Sequence, residues 1–401
     1  MRIGFDVSQT GEFKAGCGYF AESLVRHLTR TGIGNTYILY PTFGSGYWDP
    51  DWARATFLPA AEPNVVRGLG HASFEDLDAF WADPPADLEQ QLGMPDIVHS
   101  NNFFCPTTLK RARLVYTLHD LAFVDHPEWT TEANWYTCFR GVFDASMYAD
   151  HILAVSDFTR QRFLDMFPHF RADHVSVVYE SSRFVGAAQQ ERPPKLDQLQ
   201  PRHFWLCVGT SEPRKNQRRL LEAYARLRAS GETSDPLVLV GGAGWLMDDL
   251  GEWIRELNLV AYVLRLGYVD DDSLAWLYAH CTAFCYPSLY EGFGLPVVEA
   301  MSLGAAVLTS CTTSLPEVIG DAGVLVDPAD PDAIYTGLRA LAGDESFRAN
   351  LRDHARERAQ GFSWARSAAQ VLDIYNGLLA GSERRGSSPD STERMAVLGV
   401  E

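Results

Sequence analysis

Basic residues are scarce in this chain of 401 residues: 34 lysines and arginines stand against 52 aspartates and glutamates, for a formal net charge of -18 and a pI near 5.0. A nucleic-acid groove needs a concentrated basic surface, so that class of partner is excluded. Any phosphate site must then be local, built from a few cations and backbone N–H groups. Cysteine is sparse too. The seven, at positions 17, 105, 138, 207, 281, 285 and 311, are odd in number, scattered and without paired metal-ligand spacing. They read as buried or free thiols in a reducing compartment. No apolar stretch approaches the roughly eighteen residues that a membrane span requires. Met1-Arg-Ile-Gly-Phe-Asp6 runs into a strand pattern without a secretory leader. A cytoplasmic protein is expected, with peripheral contact to the inner face of a membrane left open.

What is present is alternation. Short β-rich runs separated by helical patterns are the signature of parallel sheets with crossover helices. One series comprises residues 2–6, 37–40, 96–99, 114–118, 151–155 and 175–179; a second comprises 203–208, 237–240, 262–266, 283–286, 306–309 and 324–326. Between them, residues 185–202 carry no period and contain three prolines, as expected of an interdomain linker. The polar, breaker-rich stretch from residue 381 reads as a disordered tail. Two Rossmann-like domains facing one another would form a cleft at the carboxyl ends of both sheets, where open α/β folds bind ligands.

The residues that carry chemistry fall at those strand ends. Glu291-Gly-Phe-Gly-Leu-Pro-Val-Val-Glu299 places two carboxylates around a glycine turn and a helix start. Gly292, Phe293 and Gly294 would bring backbone close to a ligand, and a helix opening near Leu295 would aim unpaired N–H groups at it. A diphosphate suits that end, and the two carboxylates suit hydroxyls of a sugar and a ribose. The plainer reading is a Gly-Pro turn before an amphipathic helix with solvated glutamates. Arg214 and Lys215, in Val208-Gly-Thr-Ser-Glu-Pro-Arg-Lys-Asn216, supply fixed charge for a diphosphate or else form a solvated basic turn, with Asn216 as helix N-cap. Gly241-Gly-Ala-Gly244 ends the next strand. Gly16-Cys-Gly18 is a glycine-rich turn ahead of a helix over 19–29, at the wrong spacing for a dinucleotide loop. Thr117-Leu-His119-Asp120 ends a first-domain strand, where His119 is either structural or a hydrogen-bonding partner of a sugar hydroxyl. Ser156 reads as an N-cap.

Val208 to Asn216, Leu266-Gly-Tyr-Val269, Tyr286 to Met301, Ser314-Leu-Pro-Glu317 and Phe362-Ser-Trp364 resemble, in order, signatures of the retaining nucleotide-sugar glycosyltransferases of family 4 (glycosyl transferases group 1), of GT-B fold. The likeness covers most of residues 203–366. In the first half it rests on Gly16-Cys-Gly18, Thr117 to Leu121 and Ala154-Val-Ser156. It implies an α/β GT-B architecture: an acceptor domain over 1–184, a linker over 185–202, a donor domain over 203–362, a crossover helix over 363–380 returning to the first domain, and a tail over 381–401. It also implies site roles. Glu291 would contact the donor sugar, Glu299 the nucleotide ribose, Arg214 and Lys215 the diphosphate, and His119 a sugar hydroxyl, with Gly16, Gly18 and the 292–295 turn lining the donor.

By that resemblance a hexose, mannose-like, would pass with retained configuration from a nucleotide diphosphate sugar to a glycan or lipid-linked saccharide, as in polysaccharide biosynthesis. The donor is a substrate, so no further cofactor is expected. A catalytically silent sugar-nucleotide-binding protein, or a GT-B epimerase or phosphorylase, would keep the same cleft. Two departures stand out: Ala243 and Tyr19 occupy positions where many relatives carry lysine and arginine. Asp270-Asp-Asp272 looks like a metal motif of another fold but reads as a helix cap, so no metal is expected. For the acceptor, Asn101 to Phe104, the aromatics from Trp135 through Phe139 to Phe143, and Lys110-Arg-Ala-Arg113 are the candidates, against core aromatics and a solvated basic turn. The oligomeric state does not follow from the sequence.

Overall fold

The computed structural model describes residues 1–11, 14–44, 62–70, 73–101, 103–185, 191–242, 244 and 249–381. The first lobe is built on seven parallel strands: β1 (Arg2–Asp6), β2 (Thr36–Tyr40), β3 (Val65–Arg67), β4 (Ile97–Asn101), β5 (Arg113–Leu118), β6 (His151–Ala154) and β7 (Val175–Val177), in the order β3-β2-β1-β4-β5-β6-β7. The second lobe has six: β8 (Trp205–Val208), β9 (Leu237–Val240), β10 (Val263–Gly267), β11 (Ala283–Tyr286), β12 (Val307–Ser310) and β13 (Val324–Val326), in the order β10-β9-β8-β11-β12-β13. Strands such as β8 and β11 are buried along their whole length because helices cover both faces of each sheet, which is why they read as unbroken apolar runs. Every strand read from the sequence is found. The additional one, β3, is a three-residue edge strand with two exposed positions and so leaves little apolar signal.

Strand order reverses between β1 and β4 in one sheet and between β8 and β11 in the other. Crossover connections leave in opposite directions at those points, so a crevice opens at the carboxyl ends. The loops after β1, β5, β8, β9 and β11 all empty into it.

The final helix, Trp364–Ala380, is capped by Ser363 and returns to the first lobe. It packs on the helix Gly16–Thr31, with the Phe20 and Trp364 rings 5.7 Å apart. Gln370 Nε2 donates to the Val177 carbonyl at 2.8 Å, and Ser367 Oγ to that of Tyr179 at 2.7 Å. The Tyr375 hydroxyl meets His99 Nδ1, and Thr117 Oγ1 meets His99 Nε2 at 2.7 Å. The lobes also touch at the crevice. Thr159 Oγ1 donates to the Gly292 carbonyl at 3.0 Å, and Tyr290 OH to Asp125 Oδ2 at 3.1 Å. Glu317 of the second lobe accepts from the Asp157 and Phe158 N–H groups at 2.8 and 3.1 Å, at the start of the first-lobe helix Asp157–Met166. The tail proposed from the sequence falls, apart from Gly381, outside the described residues.

His99 is fully buried; burial, reinforced by nearby His119, pushes its pKa from 6.5 down to about 3, so it is neutral when folded. Unfolding exposes an imidazole that binds a proton, so its effect on stability is nil above pH 6.5 and grows as pH falls toward about 3. Replacing Tyr375 by phenylalanine orphans Nδ1 and is expected to cost about 1–3 kcal/mol. Denaturant melts of the Tyr375→Phe protein at neutral pH check this, and acidification should destabilise the wild type over the same window.

Candidate active site

The turn between β11 and the helix Leu295–Ser302 is forced into its path by two glycines. Gly294 sits at φ +102° as the helix N-cap residue, a conformation that side chains with a Cβ rarely adopt. Gly292 faces the other lobe so closely that an added Cβ would lie 1.8 Å from the His119 carbonyl oxygen. The turn carries Glu291, 5% exposed, into a cluster of opposite charge. Its Oε2 is 2.7 Å from Arg214 Nη1 and its Oε1 is 2.7 Å from Lys215 Nζ. Lys215 Nζ also donates to the Tyr286 hydroxyl at 2.7 Å, and Arg214 Nη2 lies 2.9 Å from Glu212. Burial alone would raise the Glu291 pKa; Arg214 and Lys215 reverse that and hold it at about 2. Arg214 is likewise held charged, since Glu212 and Glu291 outweigh the cost of its burial. Glu291 is thus a permanent acceptor and a poor proton carrier.

Arg214 and Lys215 lie in a 3₁₀ turn, Pro213–Lys215, directly after β8. Asn216 occupies the N-cap position of the helix Gln217–Ala229 in a left-handed conformation, φ +58°. Its side chain caps nothing. It donates instead to the Pro287 and Pro328 carbonyls at 2.9 and 2.7 Å, tying this turn to the loops after β11 and β13.

Glu299, 3% exposed, projects from the helix Leu295–Ser302. Its Oε1 is 3.2 Å from Arg183 Nε, and its Oε2 accepts from the Tyr278 hydroxyl at 3.3 Å. Burial raises its pKa to about 7, with Arg183 and Tyr278 pulling down and Asp271 pushing up. His119 sits between two acceptors, Nδ1 3.5 Å from Glu180 Oε1 and Nε2 3.3 Å from Asn101 Oδ1, with Phe20 edge-on to its ring.

These groups line one cavity of about 680 Å³ between the lobes. Gly16, His119, Arg214, Lys215, Glu291, the 292–295 turn and Glu299 all reach it. Gly18 does not. The helix begins at Gly16 rather than at residue 19, so both glycines lie in its first turn. Gly18 faces inward, where a Cβ would lie 2.1 Å from the Gln9 carbonyl oxygen. Asp270 caps the helix Asp271–His280 through the Ser273 N–H at 2.8 Å. Ala243 lies outside the described residues.

The sequence reading passed over Glu180, Arg183, Glu212 and Tyr286, all of which line the cavity. Glu180 and Arg183 follow β7 at the carboxyl end of the first sheet, the position that marked His119, but they abut the domain boundary and form no motif. Of the acceptor candidate segments, Phe103 and Cys138 reach the cavity, and Phe123, His126 and Trp129, which the sequence reading did not single out, line it as well. Trp135 and Phe139 stack on each other, rings 5.1 Å apart, against the first-lobe core. The basic turn faces elsewhere: the Lys110 N–H donates to Glu89, and Arg113 pairs with Asp150 at 3.1 Å.

Residues 15–180 match the family model described as Glycosyltransferase Family 4, and residues 189–358 the one described as Glycosyl transferases group 1. The O-antigen chain mannosyltransferase B of Escherichia coli is 38% identical over 283 residues, 70% of this chain and 74% of its own length. The serotype-specific mannosyltransferase WbdA of Escherichia coli is 30% identical over 310 residues, 72% of this chain but 38% of its own length. Among solved structures, Anabaena Alr3699/HepE in complex with UDP and glucose superposes with a TM-score of 0.70 at 20% identity, over 94% of this chain and 100% of that one. WaaG, a glycosyltransferase involved in lipopolysaccharide biosynthesis, gives 0.70 at 16% identity over 94% and 100%. Likeness at such identities speaks for the fold, whereas the sequence matches speak for descent. Together they make the chain a member of the family 4 glycosyltransferases, with the GT-B arrangement of two Rossmann-like lobes and a returning C-terminal helix.

Proposed function

We propose that the protein is a retaining, metal-independent hexosyltransferase that moves mannose from a nucleoside diphosphate sugar to a saccharide or lipid-linked saccharide. The observation that carries this reading is the buried Glu291–Arg214–Lys215 cluster set beside Glu299 in a single interlobe cavity. In it the diphosphate lies against Arg214, Lys215 and the N-terminus of the helix Leu295–Ser302, while Glu291 accepts from hexose hydroxyls and Glu299 from the ribose. Two relatives named as mannosyltransferases support the sugar, and HepE, crystallised with UDP-glucose, supports a nucleotide donor. A lipid-linked acceptor would be met from the membrane surface, since no helix among the described residues is long and apolar enough to cross one.

Chemistry follows from the charges. Cleaving the bond from anomeric carbon to phosphate produces an oxocarbenium-like sugar and a diphosphate of greater charge, so preorganised cations lower the barrier most. Glu291, held near a pKa of about 2, is unsuited to proton transfer. The acceptor hydroxyl oxygen bonds to the anomeric carbon on the face from which the phosphate leaves, so the anomeric configuration is retained, and its proton passes to the departing phosphate oxygen. His119, flanked by Glu180 and Asn101, orients a sugar hydroxyl. Closure of the lobes excludes water and limits hydrolysis.

A panel of nucleotide sugars tested by thermal shift, followed by NMR of the product anomer, checks the reading. A nucleoside diphosphate mannose is expected to bind most tightly of the panel, stabilising by about 2.7 kcal/mol at a hundred times its Kd, and the product to keep the donor's configuration. Stabilisation by no nucleotide sugar, or an inverted product, overturns it. Lys215→Ala should lower turnover by about 10²–10³-fold, the loss expected of one charge-stabilising donor; wild-type rates in that variant count against the diphosphate site. Glu291→Gln frees two cations, so nucleoside diphosphate should bind about tenfold more tightly by calorimetry while turnover falls.

A further inference from the structure

Arg183 is a cavity cation to which that mechanism gives no role. Arg183 belongs to the segment that follows β7 and leads out of the first lobe. Its side chain, 15% exposed, reaches across to the second lobe, 3.2 Å from Glu299 and 3.5 Å from Asp271. The guanidinium lies over the Tyr19 ring at 3.8 Å, and the Tyr19 hydroxyl meets that of Tyr268 at 2.9 Å, closing a lid of two tyrosines from opposite lobes. Yet the pair is incompletely satisfied. Glu299 Oε1, Arg183 Nε and Arg183 Nη1 are all buried without an aligned hydrogen bond. Tyr278 holds the other Glu299 oxygen. A buried carboxylate oxygen with unused acceptor capacity, on a residue lining the cavity, marks a place for a donor hydroxyl from a ligand.

We propose that Arg183 is a positioning residue for the donor: it draws the Glu299 carboxylate toward its charged form and orients it, so that Oε1 receives the ribose hydroxyls of the nucleotide. This rests on the nucleotide-sugar reading above. The groups that face Glu299 are Arg183 and Glu180 from the segment after β7, and Asp271 and Tyr278 from the helix Asp271–His280. Arg183 is the cation of that set. Without it a buried carboxylate would sit among two others and a phenol, and would take up a proton; a protonated carboxyl accepts poorly from a hydroxyl. Placing this control in the segment between the lobes also makes ribose recognition depend on how the lobes are set. Tyr19 fits the same scheme: an aromatic face at that position supports a guanidinium delivered from elsewhere.

Calorimetry with GDP, UDP and their 2′-deoxy forms, on the wild type and on Arg183→Gln and Arg183→Lys between pH 5.5 and 9, tests the proposal. The wild type is expected to prefer the ribonucleotide about tenfold, the worth of one hydrogen bond to a charged group. Arg183→Gln should lose that preference at neutral pH and regain it as pH rises and Glu299 ionises, with the change in donor KM rather than in kcat. Arg183→Lys, which keeps the charge and the fold, should retain the preference in part. Ribose preference and pH profile unchanged in Arg183→Gln overturn the role of Arg183 while leaving the donor reading intact. Failure of the wild type to bind either nucleotide overturns the donor reading itself, and the role of Arg183 with it.

Discussion

The site is organised by a carboxylate that is taken out of water and compensated in place. Glu291 is buried to the extent that it must be paired, and it is met by a guanidinium on one oxygen and an ammonium on the other. Breaking such an arrangement from one side leaves an uncompensated buried charge, which is far more costly than the pair is stabilising. The constraint propagates. Arg214 and Lys215 must leave β8 in a tight turn, Asn216 must take a left-handed conformation to clamp that turn to its neighbours, and the loop after β11 must thread between them on glycines. Pocket neutrality has a chemical result as well. An anionic group entering here would have to displace an existing anion from two cations instead of meeting bare positive charge.

The second theme is that several contacts at the site cross from one lobe to the other. His119 presses its carbonyl against Gly292, Tyr290 reaches Asp125, and Arg183 reaches Glu299. The returning helix Trp364–Ala380 fastens the arrangement from behind, through Tyr375 on His99 and Gln370 on the β7 backbone. The two lobes are thereby held together on both sides of the cavity.

Much of this was legible in the residues. Parallel strands covered on both faces leave unbroken apolar runs, so both sheets could be read, whereas β3, short and half exposed, could not. Glu291, Arg214 and Lys215 stood out because glycines and strand ends framed them. Glu299 was found, but its partner was not: Arg183 lies more than a hundred residues away in sequence and belongs to no motif, and a pairing of that kind exists only once the lobes are placed. The helix start at Gly16 was missed for a local reason. Two glycines ordinarily interrupt a helix, but in a first turn, where backbone donors lack partners anyway, they are tolerated, and the Ala15 cap offers no side-chain signal of the true start.

Glu317 makes the relation between lobes visible from outside the pocket. Its carboxylate neutralises the positive end of the helix Asp157–Met166 from across the crevice, so two amide groups of one lobe depend on an anion of the other. When the lobes separate, those amides pass from a protein acceptor to bulk solvent while Ser156 continues to serve Thr159. Hydrogen exchange at Asp157 and Phe158 therefore counts opening events directly, independent of substrate or turnover.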